Sequence, residues 1–258
     1  MFIEERHENI LEILSAEGSI TCAKIQELFN ISYDSAKRDL RILEEKGLLK
    51  RTRGGALPIR QVATGKPANM TCKDIPAVKE NYRAIALKAV SMIEDNDVVF
   101  ITSATVGYFM AQNLPADIRI RAVTNSIVIA EELRAHDNVS VIMLGGEMDN
   151  KGNCYDTIAV ETIKRLRFDK CFLTSACISA DFGLSIQRTD AISFWNAVID
   201  SSRKTIGLYP TEKIGFESIV SICPANRLDV MITDWEACEE DLQKFEKQGI
   251  EIIVAEKQ

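Results

Sequence analysis

The chain has little with which to hold a metal. Its 258 residues include two histidines, His7 and His136, and its seven cysteines (Cys22, Cys72, Cys154, Cys171, Cys177, Cys223 and Cys238) are scattered without a CxxC pair. Metal-ligand spacing is missing, so no metal or cofactor is expected. Buried free thiols in a reducing compartment account for the cysteines, with redox sensing at Cys171 or Cys177 as the alternative. No apolar run reaches the roughly 18 residues that a membrane span needs. The opening M-F-I-E-E-R-H lacks a signal-peptide pattern. A cytoplasmic protein with no membrane partner is expected.

Positive charge is also short overall, with 31 Lys and Arg against 38 Asp and Glu for a net charge of -7, which excludes a globally basic nucleic-acid binder. Its distribution is uneven. Residues 34 to 60 hold eight Lys or Arg against four acids. A basic patch on an acidic protein can bind DNA locally while the rest repels the duplex. With 46% hydrophobic and 27% charged residues, the chain can bury a core and is long enough for a small domain and a medium one.

The basic stretch, S-Y-D-S-A-K-R-D-L-R-I-L-E-E-K-G-L-L-K-R-T-R-G-G-A-L-P over residues 32 to 58, reads as a helix followed by a hairpin. Ser32 is suited to cap the helix, Ala36, Leu40 and Leu43 form its inner stripe, and Gly47 ends it. Tyr33, Ser35, Lys37, Arg38 and Arg41 are left for other faces, as a recognition helix requires. Leu48 to Arg53 with Gly54 and Gly55 read as a wing. A plain amphipathic helix with a solvated basic face would look similar, but the preceding residues narrow the choice. Phe2 to Ala16 carries a helical stripe ending at Gly18, Ser19 and Ile20 make an extended step that can pair with the wing, and Thr21 caps a helix over Cys22 to Phe29. Helix, turn, helix and wing are all present.

From 59 to 80 the periodicity dissolves around Gly65, Pro67 and Pro76, which predicts a linker between a domain at 1–58 and another at 81–258. The second region alternates strand and helix signals. Strands are expected at Val98–Ile101, Ile118–Val123, Val139–Leu144, Lys170–Ser175, Thr205–Tyr209, Val230–Thr233 and Glu251–Val254. Helices are expected at Asn81–Ile93, Val106–Asn113, Ile127–His136, Thr157–Leu166, Asp190–Ser202 and Glu236–Gln248. This alternation predicts an α/β fold with a mostly parallel sheet covered on both faces. Ligands of such sheets bind outside the carboxyl ends of the strands. The turns that qualify are Thr102-Ser103-Ala104-Thr105, Thr124-Asn125-Ser126, Gly145-Gly146 and Thr174-Ser175-Ala176. Their recurring hydroxyls and glycines read as an anion pocket for a phosphate.

With these residues laid out, the chain resembles the DeoR family of bacterial transcriptional regulators over nearly its whole length. The motifs are E-R-H-E-N-I-L-E-I-L, S-x-x-S-A-K-R-D-L and E-E-K-G-L-L-K-R-T-R-G-G-A, then R-A-I-A, V-T-N-S, A-E-E-L, L-G-G, R-L-R-F-D-K and F-G-L-S. The resemblance implies a winged helix-turn-helix joined to a sugar-phosphate sensor domain similar in fold to ribose-phosphate isomerases. It implies a repressor of a carbohydrate-metabolism operon, working as a homo-oligomer, dimer or tetramer, on double-stranded operator DNA. The implied effector is a phosphorylated sugar or similar anionic metabolite. Tyr33, Ser35, Lys37, Arg38, Arg41, Arg51, Arg53 and Gly54 are the candidate DNA contacts, with Asp39 orienting neighbouring arginines. Ser103, Thr105, Thr124, Asn125, Ser126, Gly145, Gly146 and Lys213 are the candidate effector contacts.

The pocket departs from the family's usual residues. Where the family reads D-S-G-T-T this chain has Thr102 to Val106, and where it reads G-A-D-G it has Thr174 to Cys177. Trp195 stands for a lysine and Pro210 for an aspartate. In the headpiece, Ser35, Ala36 and Lys37 replace a Thr, Ile, Arg run, and Lys37 keeps the charge without the bidentate fork. Two further functions compete. A sensor domain that only oligomerises would need no ligand. A sugar-phosphate isomerase would need a positioned base, for which Thr102, Ala176 and Pro210 cannot serve, leaving Asp181 and Asp190; no catalytic residue is expected.

Overall fold

Two hydroxyls fix where the second and third helices begin. The computed structural model describes residues 3–17, 19–58 and 80–257, so the expected linker at 59–80, the helix end at Gly18 and Cys72 lie outside the described residues, except for residue 80. The chain divides into two compact units, residues 1–64 with 236–239 and residues 65–235 with 240–258.

In the first unit, helix α1 covers Ile3–Glu17, α2 Cys22–Phe29 and α3 Tyr33–Glu45. Thr21 and Ser32 sit in extended backbone and accept the amides of Lys24 and Ser35, each at 3.1 Å, which satisfies donors that a helix start leaves open. Asn30, left-handed at φ 50, closes α2. The end of α3 is built more tightly. Gly47 at φ 69 lets its own amide reach the Glu44 carbonyl (2.8 Å) and the Leu48 amide reach that of Leu43 (2.9 Å), the paired closure that a left-handed glycine permits.

Strands β1 (Ile20–Thr21), β2 (Leu49–Arg51) and β3 (Gly55–Pro58) form an antiparallel sheet in the order β1-β3-β2. The extended step before α2 therefore does pair with the wing. Gly55 is required there, because a Cβ would run into the Ile20 carbonyl. Ile10, Leu14, Ile25, Leu40, Leu43 and Leu49 are each buried to within 2%, so the inner stripes of all three helices meet the wing in one core.

The second unit holds a seven-stranded sheet in which every pairing is parallel. Its strands are β4 (Val98–Ile101), β5 (Ile120–Thr124), β6 (Val139–Met143), β7 (Phe168–Leu173), β10 (Ser202–Leu208), β12 (Val230–Thr233) and β13 (Glu251–Val254), in the order β13-β12-β10-β7-β4-β5-β6. From β4 the chain builds outward through β5 and β6, then returns to the other side of β4 and builds through β7, β10, β12 and β13. The order reverses between β4 and β7, which places the ligand crevice of such a sheet at their carboxyl ends.

Helices α4 (Glu80–Val90), α5 (Thr105–Gln112) and α6 (Ile127–Leu133) bury Ile85, Met110 and Leu133 in one cluster with Val99, Ala122, Phe172 and Ile206 of the sheet. Phe100 meets instead the rings of Phe168, Phe194 and Trp195 at 5.8 to 6.1 Å. The last two belong to α8 (Ile192–Asp200), which packs on α7 (Thr157–Lys164). Helix α9 covers Glu239–Glu246.

Some expected boundaries move. The helix expected from Asp190 opens as a 3-10 turn at Thr189–Ala191, and the strand expected from Lys170 starts at Phe168. A second sheet has no counterpart in the expected pattern: β8 (Cys177–Ser179), β9 (Gly183–Ile186) and β11 (Val220–Cys223) pair antiparallel in the order β11-β9-β8. Cys171 is fully buried, and burial pushes its thiol up to about 11, which keeps it from the thiolate form a redox sensor needs.

Candidate functional site

Helix α3 presents Tyr33, Lys37, Arg38 and Arg41 to solvent, while Ala36, Asp39, Leu40 and Leu43 are buried. Spacings of four put Tyr33, Lys37 and Arg41 on one stripe, with the Lys37 ammonium 5.2 Å from the centre of the Tyr33 ring. Arg38 lies on an adjacent flank. A small core beneath and three cations above suit a helix that meets phosphates and base edges.

Three residues expected at or beside the DNA surface have other work. Ser35 gives its amide to Ser32 Oγ, and the two hydroxyls are 2.9 Å apart, so it belongs to the helix cap. Arg51 is 17% exposed, with Nε 2.7 Å from Glu44 Oε2 and its backbone amide 2.9 Å from Glu44 Oε1. It fastens the wing to α3. Asp39 does not orient the neighbouring arginines of its own helix; it is 4% exposed and takes the Arg6 guanidinium (2.7 and 3.2 Å) and the His7 ring (3.2 Å) of α1. Hydrogen bonding to Asp39 holds the Arg6 guanidinium above its ordinary pKa. Arg53 and Gly54 are exposed at the turn between β2 and β3, where the Gly54 carbonyl accepts the Cys22 amide at 2.8 Å.

At the carboxyl ends of the sheet the expected effector contacts fall on neighbouring strands. After β4, Thr102 is buried, Ser103 is half-buried, and Thr105 begins α5. Gly107 lets α5 come this close, since a Cβ there would strike the Thr102 carbonyl. At the end of β5, Thr124 and the following Asn125 and Ser126 are all buried. Thr124 Oγ1 accepts the Ser126 amide (3.3 Å), and Asn125 donates to the Cys154 carbonyl (3.1 Å) while its Oδ1 is buried with no partner. After β7, Lys213 brings its ammonium to Thr174 Oγ1 (3.1 Å) and the Ser175 carbonyl (3.0 Å). Its turn is held by Asp234 at the end of β12, a fully buried carboxylate that accepts the amide and hydroxyl of Thr211 at 2.8 and 2.5 Å.

At the Gly145-Gly146 turn the second glycine packs against its own loop. Gly146, at φ 144, passes against the Asp156 carboxylate, which accepts the Glu147 amide (2.9 Å) and caps α7 at Ala159 (3.1 Å). Those amides hold the Asp156 carboxyl below the usual range. The space beside Gly145 is open. The isomerase candidates are placed as well. Asp190 is paired with Arg188 at 2.6 Å, and Asp181 is exposed in the turn between β8 and β9.

Tyr155 was missed by sequence reasoning. Its hydroxyl is 2.9 Å from Ser103 Oγ, it lies within hydrogen-bonding reach of Asn125, and its ring packs on Phe194 and Trp195 at 5.1 and 6.2 Å. Burial raises its phenol above the ordinary value, with the Ser103 bond opposing. Trp195, 6% exposed, fills space beside this ring. Above it the Arg188 guanidinium lies 4.9 Å from the ring centre.

A basic helix mounted on a winged core, in a chain that also carries a parallel sheet with a polar switch point, defines a helix-turn-helix DNA-binding transcriptional regulator with a second, sensor-type domain. The chain belongs to the DeoR family. Residues 6–62 match the DeoR-like helix-turn-helix domain and residues 78–235 the DeoR C terminal sensor domain. It is 25% identical to the HTH-type transcriptional regulator GolR of Listeria innocua over 99% of this chain and 100% of that one. It is 32% identical to the lactose phosphotransferase system repressor of Lactococcus lactis over 68% of this chain and 69% of the other. Among solved structures, ribose 5 phosphate isomerase A from Neisseria gonorrhoeae aligns with a TM-score of 0.38 at 16% identity, covering 55% of each chain. Among the described residues no helix is long and apolar enough to cross a membrane.

Proposed function

We propose that the chain is a cytoplasmic repressor of a carbohydrate-metabolism operon, releasing its operator when a phosphorylated sugar or related anion occupies the strand ends of the sensor domain. The observation that supports the DNA half is the exposed Tyr33, Lys37 and Arg41 stripe with Arg38 beside it. The Lys213 ammonium at the end of β7, the strand next to β4 and its trailing hydroxyls, supports the anion half. One winged helix reaches few phosphates, so a homo-oligomer presenting two recognition helices to successive major grooves is part of the proposal.

The test is selection of bound duplexes from a random pool with the full chain, followed by titration at several salt concentrations. Changing Lys37 or Arg41 to Ala should weaken binding and lower the salt slope by about 0.9 for each phosphate that is no longer neutralised. Unchanged affinity and slope for both would remove α3 from the interface. Sugar phosphates are then added to the complex, and at least one should release the duplex. The reading in which the sensor domain only oligomerises is favoured by Tyr155 and Trp195 filling the crevice. Release by none of the sugar phosphates would select it. No catalytic step is proposed, since Asp190 is engaged by Arg188 and Asp181 is exposed in the turn between β8 and β9.

A further inference from the structure

We propose that Arg188 is a clasp over the strand-end crevice, opened when an anionic ligand takes its guanidinium from Asp149. This rests on the reading that an anionic metabolite binds at these strand ends. Arg188 follows β9, whereas Asp149 lies in the loop after β6, and the two meet at 2.6 Å. Asp190, two residues along from Arg188, holds the same guanidinium through Nε (3.0 Å) and Nη2 (2.6 Å). Beneath lies the Tyr155 ring, whose hydroxyl closes on Ser103. The clasp therefore ties the loop that carries Tyr155 to the segment leading into α8.

The charges and the geometry favour exchange at one of the two carboxylates. One cation faces two anions, so an entering phosphate or carboxylate meets surplus negative charge unless Arg188 turns towards it. Arg188 offers five donors in a rigid fork and can keep Asp190 while exchanging Asp149 for another oxyanion. Asp190 is local and moves with Arg188. Asp149 is not, because its Oδ1 is committed to the amides of Lys151 (2.9 Å) and Asn153 (3.0 Å) in its own turn. The Arg188 side chain is 46% exposed and that of Asp149 18%, so the released guanidinium has water or ligand to turn to, while Asp149 keeps the Lys151 and Asn153 amides on its Oδ1.

A second observation points into the same space. Asn125 is fully buried, its Oδ1 has no partner, and its side chain adjoins the Tyr155 hydroxyl. An orphaned buried acceptor is costly. A ligand hydroxyl arriving as Tyr155 withdraws from Ser103 would satisfy it.

The experiment uses the full chain carrying Trp235→Phe, so that Trp195, the other of the two tryptophans and 6.2 Å from Tyr155, reports alone. Glucose 6-phosphate, ribose 5-phosphate and inorganic phosphate are titrated by emission and by calorimetry. Asp149→Asn keeps an oxygen for its turn but loses the charge that holds Arg188, and should tighten the ligand about two- to fivefold. Arg188→Gln should weaken it about tenfold or more. If a probe binds the parent protein but either variant fails to shift as stated, the clasp is overturned while anion sensing stands. If no probe binds the parent by either readout, the clasp falls together with the sensing role on which it rests.

Discussion

Glu44 binds Arg51 twice, through the guanidinium at 2.7 Å and the backbone amide at 2.9 Å. An acid on the recognition helix thereby holds the wing in place. Deleting it removes a negative charge near the duplex, which by charge alone would strengthen binding. The opposite is expected for Glu44→Ala. Stability should fall by about 1 kcal/mol and duplex affinity should fall with it, as thermal melts and anisotropy titrations would show. Tighter binding by this variant would mean that the wing needs no such support.

Asp39 is a sharper case, because it is buried itself and its partners are the buried His7 and the half-buried Arg6. Asp39→Ala would leave the Arg6 guanidinium, whose side chain is 12% exposed, without its counter-charge. Breaking a pair of this kind costs about 3 kcal/mol. Urea unfolding that shifted by less than a third of that would place the strength of the α1–α3 junction in the apolar core instead.

Replacing glycine inside a helix with alanine ordinarily stabilises it by about 1 kcal/mol. At Gly107 the sign should reverse. The added methyl meets the Thr102 carbonyl, α5 must back away from the end of β4, and a loss of about 1–3 kcal/mol is expected. A raised melting temperature for Gly107→Ala would show that α5 has room to spare above the end of β4.

Asp156 gives a pH signature. Its folded carboxyl is held low by the Glu147 and Ala159 amides. Its stabilising contribution is therefore complete above the ordinary carboxylate value of about 3.9 and fades as pH falls through the lower folded value. Asp156→Ala should cost about 1 kcal/mol at neutral pH, as loss of a helix cap does. The gap between the two proteins should narrow below about pH 4. Parallel stability curves down to pH 2 would contradict this.

Much of the architecture can be read from residue order. The strands Val98–Ile101, Val230–Thr233 and Glu251–Val254, and the helix Cys22–Phe29, fall where expected. In each case an apolar run or stripe is bounded by a capping or turn residue, which makes the signal local. The small sheet of β8, β9 and β11 escapes because its segments C-I-S, G-L-S-I and V-S-I-C break their apolar residues with serine, leaving no continuous apolar run like V-V-F-I or V-M-I-T. Ser35 reads from sequence as facing the groove, and its hydroxyl lies 2.9 Å from that of Ser32, the residue that caps the helix. Tyr155 and Arg188 cannot be found this way. Tyr155 lies 52 residues from Ser103 and Arg188 lies 39 from Asp149, and only the sheet order brings them together.

The closure at Gly47 joins α3 to β2 through the Glu44 and Leu43 carbonyls, a few residues from where Glu44 grips Arg51. Recognition helix and wing are thus welded into one stiff tool with no joint of its own. On the proposed reading, in which two such heads share one duplex, a signal that loosened them would act by altering the phase between them, where a half-turn error against a repeat of about 10.5 base pairs turns one head onto the wrong side.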